Sequence, residues 1–116
     1  MPSKPDIICT DQEWTILYQI LSEQCKNAKG TSIWAFGSRA KKKQSNSHDG
    51  CKPYSDLDLL VLVKAKETSV IALFAQLSES FSDSALPYKV DLVDANTASA
   101  EFLGLIEPSK VLIFQN

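Results

Sequence analysis

The sequence predicts a single α/β (α+β) domain in which a small mixed β-sheet is flanked by helices. The length of 116 residues suits one domain with a real core and is too short for two. Segments with helical spacing of apolar residues alternate along the chain with short apolar or β-branched runs. The most apolar run, Leu57 to Val63, has the composition of a strand that is covered on both faces. We therefore expect residues 1–116 to form one domain.

The N-terminal part of the chain predicts one helix and one strand. Thr10 and Glu13 have the spacing of a capping box, in which each side chain bonds the backbone N–H of the other residue. Apolar residues then recur at helical spacing and predict a helix from about 11 to 28. Residues 32–36 are β-branched and aromatic, which predicts a short strand that stops at Gly37.

The remaining segments predict a strand, a helix, a strand and a helix in that order. Their expected bounds are 57–63, 67–81, 88–93 and 97–106. The last helix is expected to be capped by Asn96 or Thr97. The tail, residues 111–114, is expected to be either a short strand or a packed end.

Composition and charge indicate an ordinary globular protein. The hydrophobic fraction of 44% and the charged fraction of 22% argue against a disordered or fibrous chain. The formal net charge of -2 creates no strong field toward nucleic acid or an anionic membrane, so neither is an expected partner. Cations are concentrated in a polar stretch, residues 39–55, which is expected to be an extended active-site loop. His48 in this stretch has no second ligand nearby and is given no catalytic role.

The cysteines and the start of the chain favour a cytoplasmic location. Cys9, Cys25 and Cys51 are odd in number and lack CxxC spacing, which predicts neither a disulfide framework nor a zinc site. The first residues lack the basic segment and long apolar core of a signal peptide. We therefore expect a protein that works in a reducing cytoplasm.

Two aspartates at the start of the most apolar strand are candidate metal ligands. Asp56 and Asp58 are two residues apart, so strand alternation places both carboxylates on one face, about 7 Å apart. Ionised carboxylates this close repel each other unless a cation lies between them, and Mg²⁺ prefers oxygen ligands. The pair alone is weak evidence, because a solvated pair or a helix-capping turn gives the same pattern.

Two further features strengthen this hypothesis. Gly37 and Ser38 follow the first strand, where glycine lets a phosphate approach the backbone and a helix start favours anions. Asp91 lies in the middle of an apolar strand, where a charge needs a partner such as a shared metal ion. The alternatives are a simple turn at Gly37 and an edge strand on which Asp91 faces water.

Three segments contain these candidate residues: WAFGSRA at 34–40, YSDLDLLV at 54–61 and YKVDLVD at 88–94. Together they resemble the minimal nucleotidyltransferases of the polymerase beta-like nucleotidyltransferase superfamily. The resemblance covers nearly the whole chain and implies the nucleotidyltransferase fold. It assigns nucleotide binding to Gly37, Ser38 and Arg39, and it assigns catalysis and metal binding to Asp56, Asp58 and Asp91. Asp91, as the third carboxylate, is expected to help activate the attacking hydroxyl.

The same resemblance implies an activity and a partner. The expected reaction is a Mg²⁺-dependent transfer of a nucleoside monophosphate, AMP from ATP, to a hydroxyl group. The expected acceptor is a small helical HEPN-type protein encoded alongside, which makes the chain the antitoxin of a toxin-antitoxin pair. One alternative is a transferase that modifies a small molecule such as an aminoglycoside and builds its acceptor pocket as a homodimer. Another is an antitoxin that binds its partner without catalysis.

One departure from the family bears on these expectations. The loop between the serine and the first aspartate is usually shorter than residues 39–55 of this chain. Extra loop length has a small entropic cost, so the fold is not threatened. We expect the insertion to affect access of the substrate and the position of Ser38.

Overall fold

The computed structural model describes residues 2–40, 55–66 and 68–116 as three helices, four strands and one 3₁₀ turn. The helices are α1 (Asp11–Gln24), α2 (Val70–Ser82) and α3 (Ala100–Ile106). The strands are β1 (Thr31–Phe36), β2 (Leu57–Val63), β3 (Val90–Asp94) and β4 (Val111–Gln115). The 3₁₀ turn, Gly37–Arg39, follows β1 directly and is named the glycine–serine turn. Most of the expected active-site loop, with His48 and Cys51, lies outside the described residues.

The four described strands form one mixed sheet in the order β3-β2-β1-β4. β1 is antiparallel to both β2 and β4, whereas β2 and β3 are parallel. A parallel pair needs a long crossover connection, and α2 supplies it. The expected fold class, a small mixed sheet flanked by helices, is confirmed, and the tail that was expected to be a strand or a packed end is β4.

One face of the sheet carries the hydrophobic core. Leu57, Leu59 and Val61 of β2 alternate onto this face and retain at most 1% of their accessible surface. Helices α1 and α2 contact each other and cover this face. Their buried residues are Trp14, Leu17 and Leu21 from α1 and Leu73, Leu77 and Phe81 from α2. The alternation of β2 therefore decides which side chains are left for the opposite face.

The opposite face of the sheet carries Asp58 and is packed differently. Phe36 of β1 is the ladder partner of Asp58 and shares this face. The ring of Phe36 meets the ring of Phe102 from α3 edge-to-face, with 5.5 Å between the centroids. No residue of α3 is fully buried, and Leu105 is 75% exposed. This second face, named the carboxylate face, is thus more open than the face under α1 and α2.

The described helices are short and begin at capping hydroxyls. The capping box of Thr10 and Glu13 is confirmed, since both of its reciprocal hydrogen bonds are present. The hydroxyls of Ser69 and Ser99 accept backbone N–H groups at the starts of α2 and α3. The longest of these helices, α1, has 14 residues. Within the part of the chain that the structure describes, no helix has the length and apolar character needed to traverse a bilayer.

The expected cap of the last helix was wrong. Helix α3 begins three residues later than expected, and its N-cap is Ser99 instead of Asn96 or Thr97. Asn96 is used in a turn, where its N–H donates to Asp94 Oδ1 at 2.9 Å and its side-chain amide donates to the Val63 carbonyl at 3.0 Å. These bonds fasten the end of β3 to the end of β2, so tertiary contacts outweigh the local capping preference.

Truncation of one core side chain tests which face of β2 stabilises the fold. Leu59→Ala removes a side chain with 0% exposure and should lower the free energy of unfolding by roughly 2–5 kcal/mol. Leu62→Ala, in the same strand on the carboxylate face, removes the same atoms from a half-buried position and should have a smaller effect. Urea unfolding followed by circular dichroism measures both, and equal losses would contradict this division of the sheet.

Candidate active site

The glycine–serine turn begins where β1 ends. Gly37 has φ +81°, a left-handed conformation that residues with a side chain rarely adopt. Gly37 and Ser38 are exposed, whereas the neighbouring Arg39 retains only 3% of its accessible surface. The N–H of Ala40 donates to the Gly37 carbonyl at 3.1 Å and closes the turn. An incoming phosphate can therefore reach Gly37 and Ser38 from solvent.

Gly37 and Asp58 lie in direct contact. A Cβ atom at residue 37 would be 2.5 Å from Asp58 Oδ2, which is closer than real Cβ contacts come, and 3.4 Å from Asp58 Cγ. The approach follows from the ladder, because Phe36 pairs with Asp58 and the turn begins one residue later. Glycine is thus required at residue 37 for two reasons: its φ is positive, and the Asp58 carboxylate leaves no room for a side chain.

The parallel pairing of β2 and β3 brings a second carboxylate beside Asp58. Asp58 and Asp91 are register partners, so they lie on adjacent strands about 4.8 Å apart and face the same side of the sheet. Asp56 precedes β2 by one residue and is exposed. The structure therefore brings Asp58, Asp91 and the glycine–serine turn together, with Asp56 at the entrance to the same strand.

The electrostatics of Asp58 reflect this crowding. Partial burial raises the pKa of the Asp58 carboxyl, and the nearby charges of Asp91 and Asp56 raise it further. Lys89 Nζ lies 3.8 Å from Asp91 Oδ1, but both side chains are exposed, so solvent weakens their attraction. The carboxylate face thus concentrates negative charge at the point nearest to the turn.

The donor set fits Mg²⁺ better than a closed metal cage. Among the described residues, no three His, Cys, Asp or Glu side chains form a cluster that could hold a metal ion by themselves. Mg²⁺ is commonly bound by one or two carboxylates and completes its shell with water and substrate phosphate. An open set of carboxylates beside a turn that admits phosphate matches this mode of binding, and their mutual repulsion would be relieved by a cation.

Arg39 differs from the other two residues of the glycine–serine turn. Its Nε donates to the Ser55 carbonyl and its Nη1 donates to the Ile8 carbonyl, each at 2.8 Å. The guanidinium carbon lies 3.7 Å from the centre of the Tyr88 ring. With 3% exposure, the side chain points into the protein. The side chain of Arg39 is therefore turned away from the solvent side of the turn, and nucleotide binding by Arg39 stays a prediction.

Sequence reasoning missed the aromatic residue that packs on Arg39. Tyr88 is buried, and its hydroxyl donates to Glu13 Oε1 at 3.1 Å. Burial first, and then the charge of Glu13, raise the pKa of the Tyr88 phenol, so Tyr88 stays protonated. The capping box marks Glu13 as a helix signal only, and 75 residues separate it from Tyr88. No spacing rule in the sequence links residues that far apart.

Comparison with known proteins assigns the family. The family model described as polymerase beta, nucleotidyltransferase matches residues 17–116. The chain is 37% identical over 99 residues to the probable protein adenylyltransferase MntA of Haemophilus influenzae. The aligned residues cover 85% of this chain and 73% of that protein. This chain belongs to the polymerase beta-like nucleotidyltransferase family.

Solved structures share the fold. A structure of a tri-AMPylated Shewanella oneidensis HEPN toxin in complex with MNT antitoxin matches with a TM-score of 0.57 and 23% identity, over 90% of this chain and 71% of the matched chain. A toxin-antitoxin structure with AMP-PNP matches with a TM-score of 0.56 and 25% identity, over 84% and 73% of the two chains. The nucleotidyltransferase fold implied by the sequence motifs is therefore confirmed.

The raised pKa of Asp58 predicts a pH-dependent gain in stability for Asp58→Asn. The folded protein holds this proton more tightly than the unfolded chain does, so stability falls as pH rises through the unfolded-state value of about 3.9. In metal-free buffer at pH 7, Asp58→Asn should therefore raise the thermal midpoint, and the gain should disappear below about pH 4. Calorimetry at both pH values measures this, with the exposed Asp83→Asn as control. A lower midpoint at pH 7 would give Asp58 a structural role.

Two glycine variants separate backbone strain from loss of the site. Gly37→Ala and Gly30→Ala both force a side chain into a positive φ, of +81° and +84°, and each should cost about 1–2 kcal/mol of stability. An added Cβ meets Asp58 only at residue 37, whereas at residue 30 it meets Lys64 Cβ at an ordinary 3.5 Å. Nucleotide binding measured by calorimetry should therefore fall for Gly37→Ala and stay unchanged for Gly30→Ala. Equal affinities would contradict a role for the close contact.

Proposed function

We propose that this protein is a Mg²⁺-dependent adenylyltransferase that transfers AMP from ATP to a hydroxyl of a small helical HEPN-type partner, and so acts as its antitoxin. The contact between Asp58 and Gly37 carries the proposal. It puts a carboxylate suited to a metal ion against a turn that phosphate can reach, and Asp91 lies on the adjacent strand. Phosphate, metal and acceptor would then meet on the carboxylate face.

The three aspartates would hold the metal together with water and the ATP phosphates. Asp56 and Asp58 would be the principal ligands of Mg²⁺, and Asp91 would be the third carboxylate beside them. Bound Mg²⁺ would neutralise charge on the ATP phosphates and lower the pKa of the attacking hydroxyl. Such a cation is favoured because burial, and then the charges of Asp91 and Asp56, disfavour the ionised form of Asp58 and raise its pKa.

The protein's own groups orient the reactants. The exposed turn at Gly37 and Ser38 would bind the ATP phosphates through the Ser38 hydroxyl and the close approach that glycine permits. Asp91 would accept the proton of the acceptor hydroxyl. The hydroxyl oxygen then forms a bond to the α-phosphorus, the bond from that phosphorus to the bridging oxygen breaks, and pyrophosphate leaves. Catalysis therefore depends mainly on position and charge, which a small scaffold can supply.

The partner follows from the relatives and from the shape of the site. The H. influenzae relative is described as a protein adenylyltransferase, and matched structures contain an AMPylated HEPN toxin or AMP-PNP. Helices α1 and α2 cover the face opposite to Asp58, whereas Gly37, Ser38 and Asp56 beside the carboxylate face are exposed to a macromolecular acceptor. We infer that the acceptor hydroxyl enters from this open face.

A transfer assay tests the proposal and separates it from the two alternatives. The wild-type protein is incubated with ATP labelled at the α-phosphate and Mg²⁺, with and without the HEPN-type protein encoded beside it. We expect label on that partner and none when EDTA is present. Label on an aminoglycoside in place of the partner would support the small-molecule transferase, and a stable complex without label would support an inactive antitoxin.

Removal of the metal carboxylates should abolish transfer without unfolding the protein. The double variant Asp56→Asn, Asp58→Asn should lose at least about 10³-fold in rate, because it loses the charges that hold Mg²⁺. Its thermal midpoint should be unchanged or higher, since carboxylate repulsion is removed. Asp83→Asn, an exposed aspartate just after α2, is the matched control and should transfer AMP at the wild-type rate. A double variant that still transfers AMP would refute the assignment of the metal ligands.

A further inference from the structure

We propose that Arg39 is a positioning residue that fixes the glycine–serine turn, the start of β2 and the approach to β3 relative to one another. The inference deepens the proposed function and rests on it. Arg39 is the only arginine of the chain. It is buried at the point where the three segments that carry the candidate site come together.

The first link runs from Arg39 to the metal carboxylates. Nε donates to the Ser55 carbonyl at 2.8 Å, and Ser55 is bonded directly to Asp56 in the chain. The bond therefore fixes the peptide from which the Asp56 side chain extends. Because Arg39 also ends the glycine–serine turn, the same side chain sets the distance between the phosphate-accessible turn and the entrance of β2.

The second link runs from Arg39 to the strand of Asp91. The guanidinium carbon lies over the Tyr88 ring, 3.7 Å from its centre, and Tyr88 comes three residues before Asp91. The next residue, Lys89, accepts the N–H of Leu57 at 2.9 Å, which joins this segment to the start of β2. Contact with Tyr88 thus restrains the chain as it enters β3.

The third link joins Arg39 to the N-terminal segment, through hydrogen bonds with Ile8. Nη1 donates to the Ile8 carbonyl at 2.8 Å, while the Arg39 carbonyl accepts the Ile8 N–H at 2.7 Å. Ile7 and Ala40 form an antiparallel bridge beside these bonds. The side chain and the backbone of Arg39 are therefore both restrained, so the guanidinium group cannot rotate without breaking several contacts.

The arrangement requires the shape of arginine and not only its charge. A planar guanidinium can donate in two directions within its plane while its flat face stacks on an aromatic ring. A lysine ammonium is a compact charge on a flexible stem and has no flat face, so it cannot reproduce all three contacts. Displacement of a catalytic group by about 1 Å can reduce a rate by about 100-fold. Arg39→Lys should therefore impair catalysis even where the protein remains folded.

The test compares Arg39→Lys with Tyr18→Leu at a temperature at which calorimetry shows both variants folded. The Tyr18 ring contacts Trp14 and Phe114 on the core side of the sheet, so Tyr18→Leu removes a packing contact on the face opposite to the carboxylates. We expect Arg39→Lys to lose about 10- to 100-fold in kcat for AMP transfer to the partner, and to need more Mg²⁺ for half-maximal rate. Tyr18→Leu should keep the wild-type kcat and Mg²⁺ requirement.

The outcomes separate this inference from the proposed function. A folded Arg39→Lys protein with wild-type kcat and Mg²⁺ requirement would overturn the positioning role, even if its thermal midpoint is lower. If Arg39→Lys does not fold, Tyr88→Leu decides, since loss of the ring should lower kcat in the same way and an unchanged kcat would overturn the inference. Failure of the wild-type protein to bind AMP-PNP with Mg²⁺ or to transfer AMP would instead refute the proposed function.

Discussion

The contact between the Asp58 carboxylate and the backbone of Gly37 is the constraint on which the candidate site depends. It exists because an antiparallel ladder places the end of β1 beside the start of β2. It is possible because residue 37 has no side chain, since a Cβ would overlap Asp58 Oδ2. A phosphate at the turn would consequently lie near Asp58, so one backbone geometry sets the distance between two binding functions.

The sheet divides its two faces between stability and chemistry. Side chains of β2 on one face pack against α1 and α2 and are almost completely buried. Side chains on the other face include Asp58, whose charge is disfavoured by burial and by its neighbours. The buried face stabilises a domain that carries mutually repelling carboxylates on the other face. This arrangement explains how a small domain can hold a destabilising site that a cation would relieve.

Arg39 connects the helix-covered side of the molecule with the carboxylates. It lies at the end of the turn that phosphate can reach, yet its guanidinium bonds to backbone carbonyls and stacks on Tyr88. Tyr88 in turn donates to Glu13, which also accepts a hydrogen bond at the start of α1. A chain of contacts thus runs from the first helix to the carboxylates. Under the proposed function, precision at the site would then depend on residues that do not touch the reactants.

The sequence alone determined the fold class, the family and the candidate residues with short-range signals. The strand Leu57–Val63, the capping box at Thr10 and the motif around Gly37 are local patterns, and each has the predicted form in the structure. From the sequence alone the pairing of Asp58 with Asp91 is only a hypothesis, because it depends on which strands are neighbours.

Only the tertiary structure decided the role of Arg39, the use of Tyr88 and the cap of the last helix. Arg39 bonds to Ser55 and Ile8, and Asn96 bonds to Val63. The partners in these bonds are backbone carbonyls far away in the sequence, and every residue type has such a carbonyl. The pattern of side chains along the sequence therefore does not identify these carbonyl partners. The packing of the whole chain selects which carbonyl each donor meets.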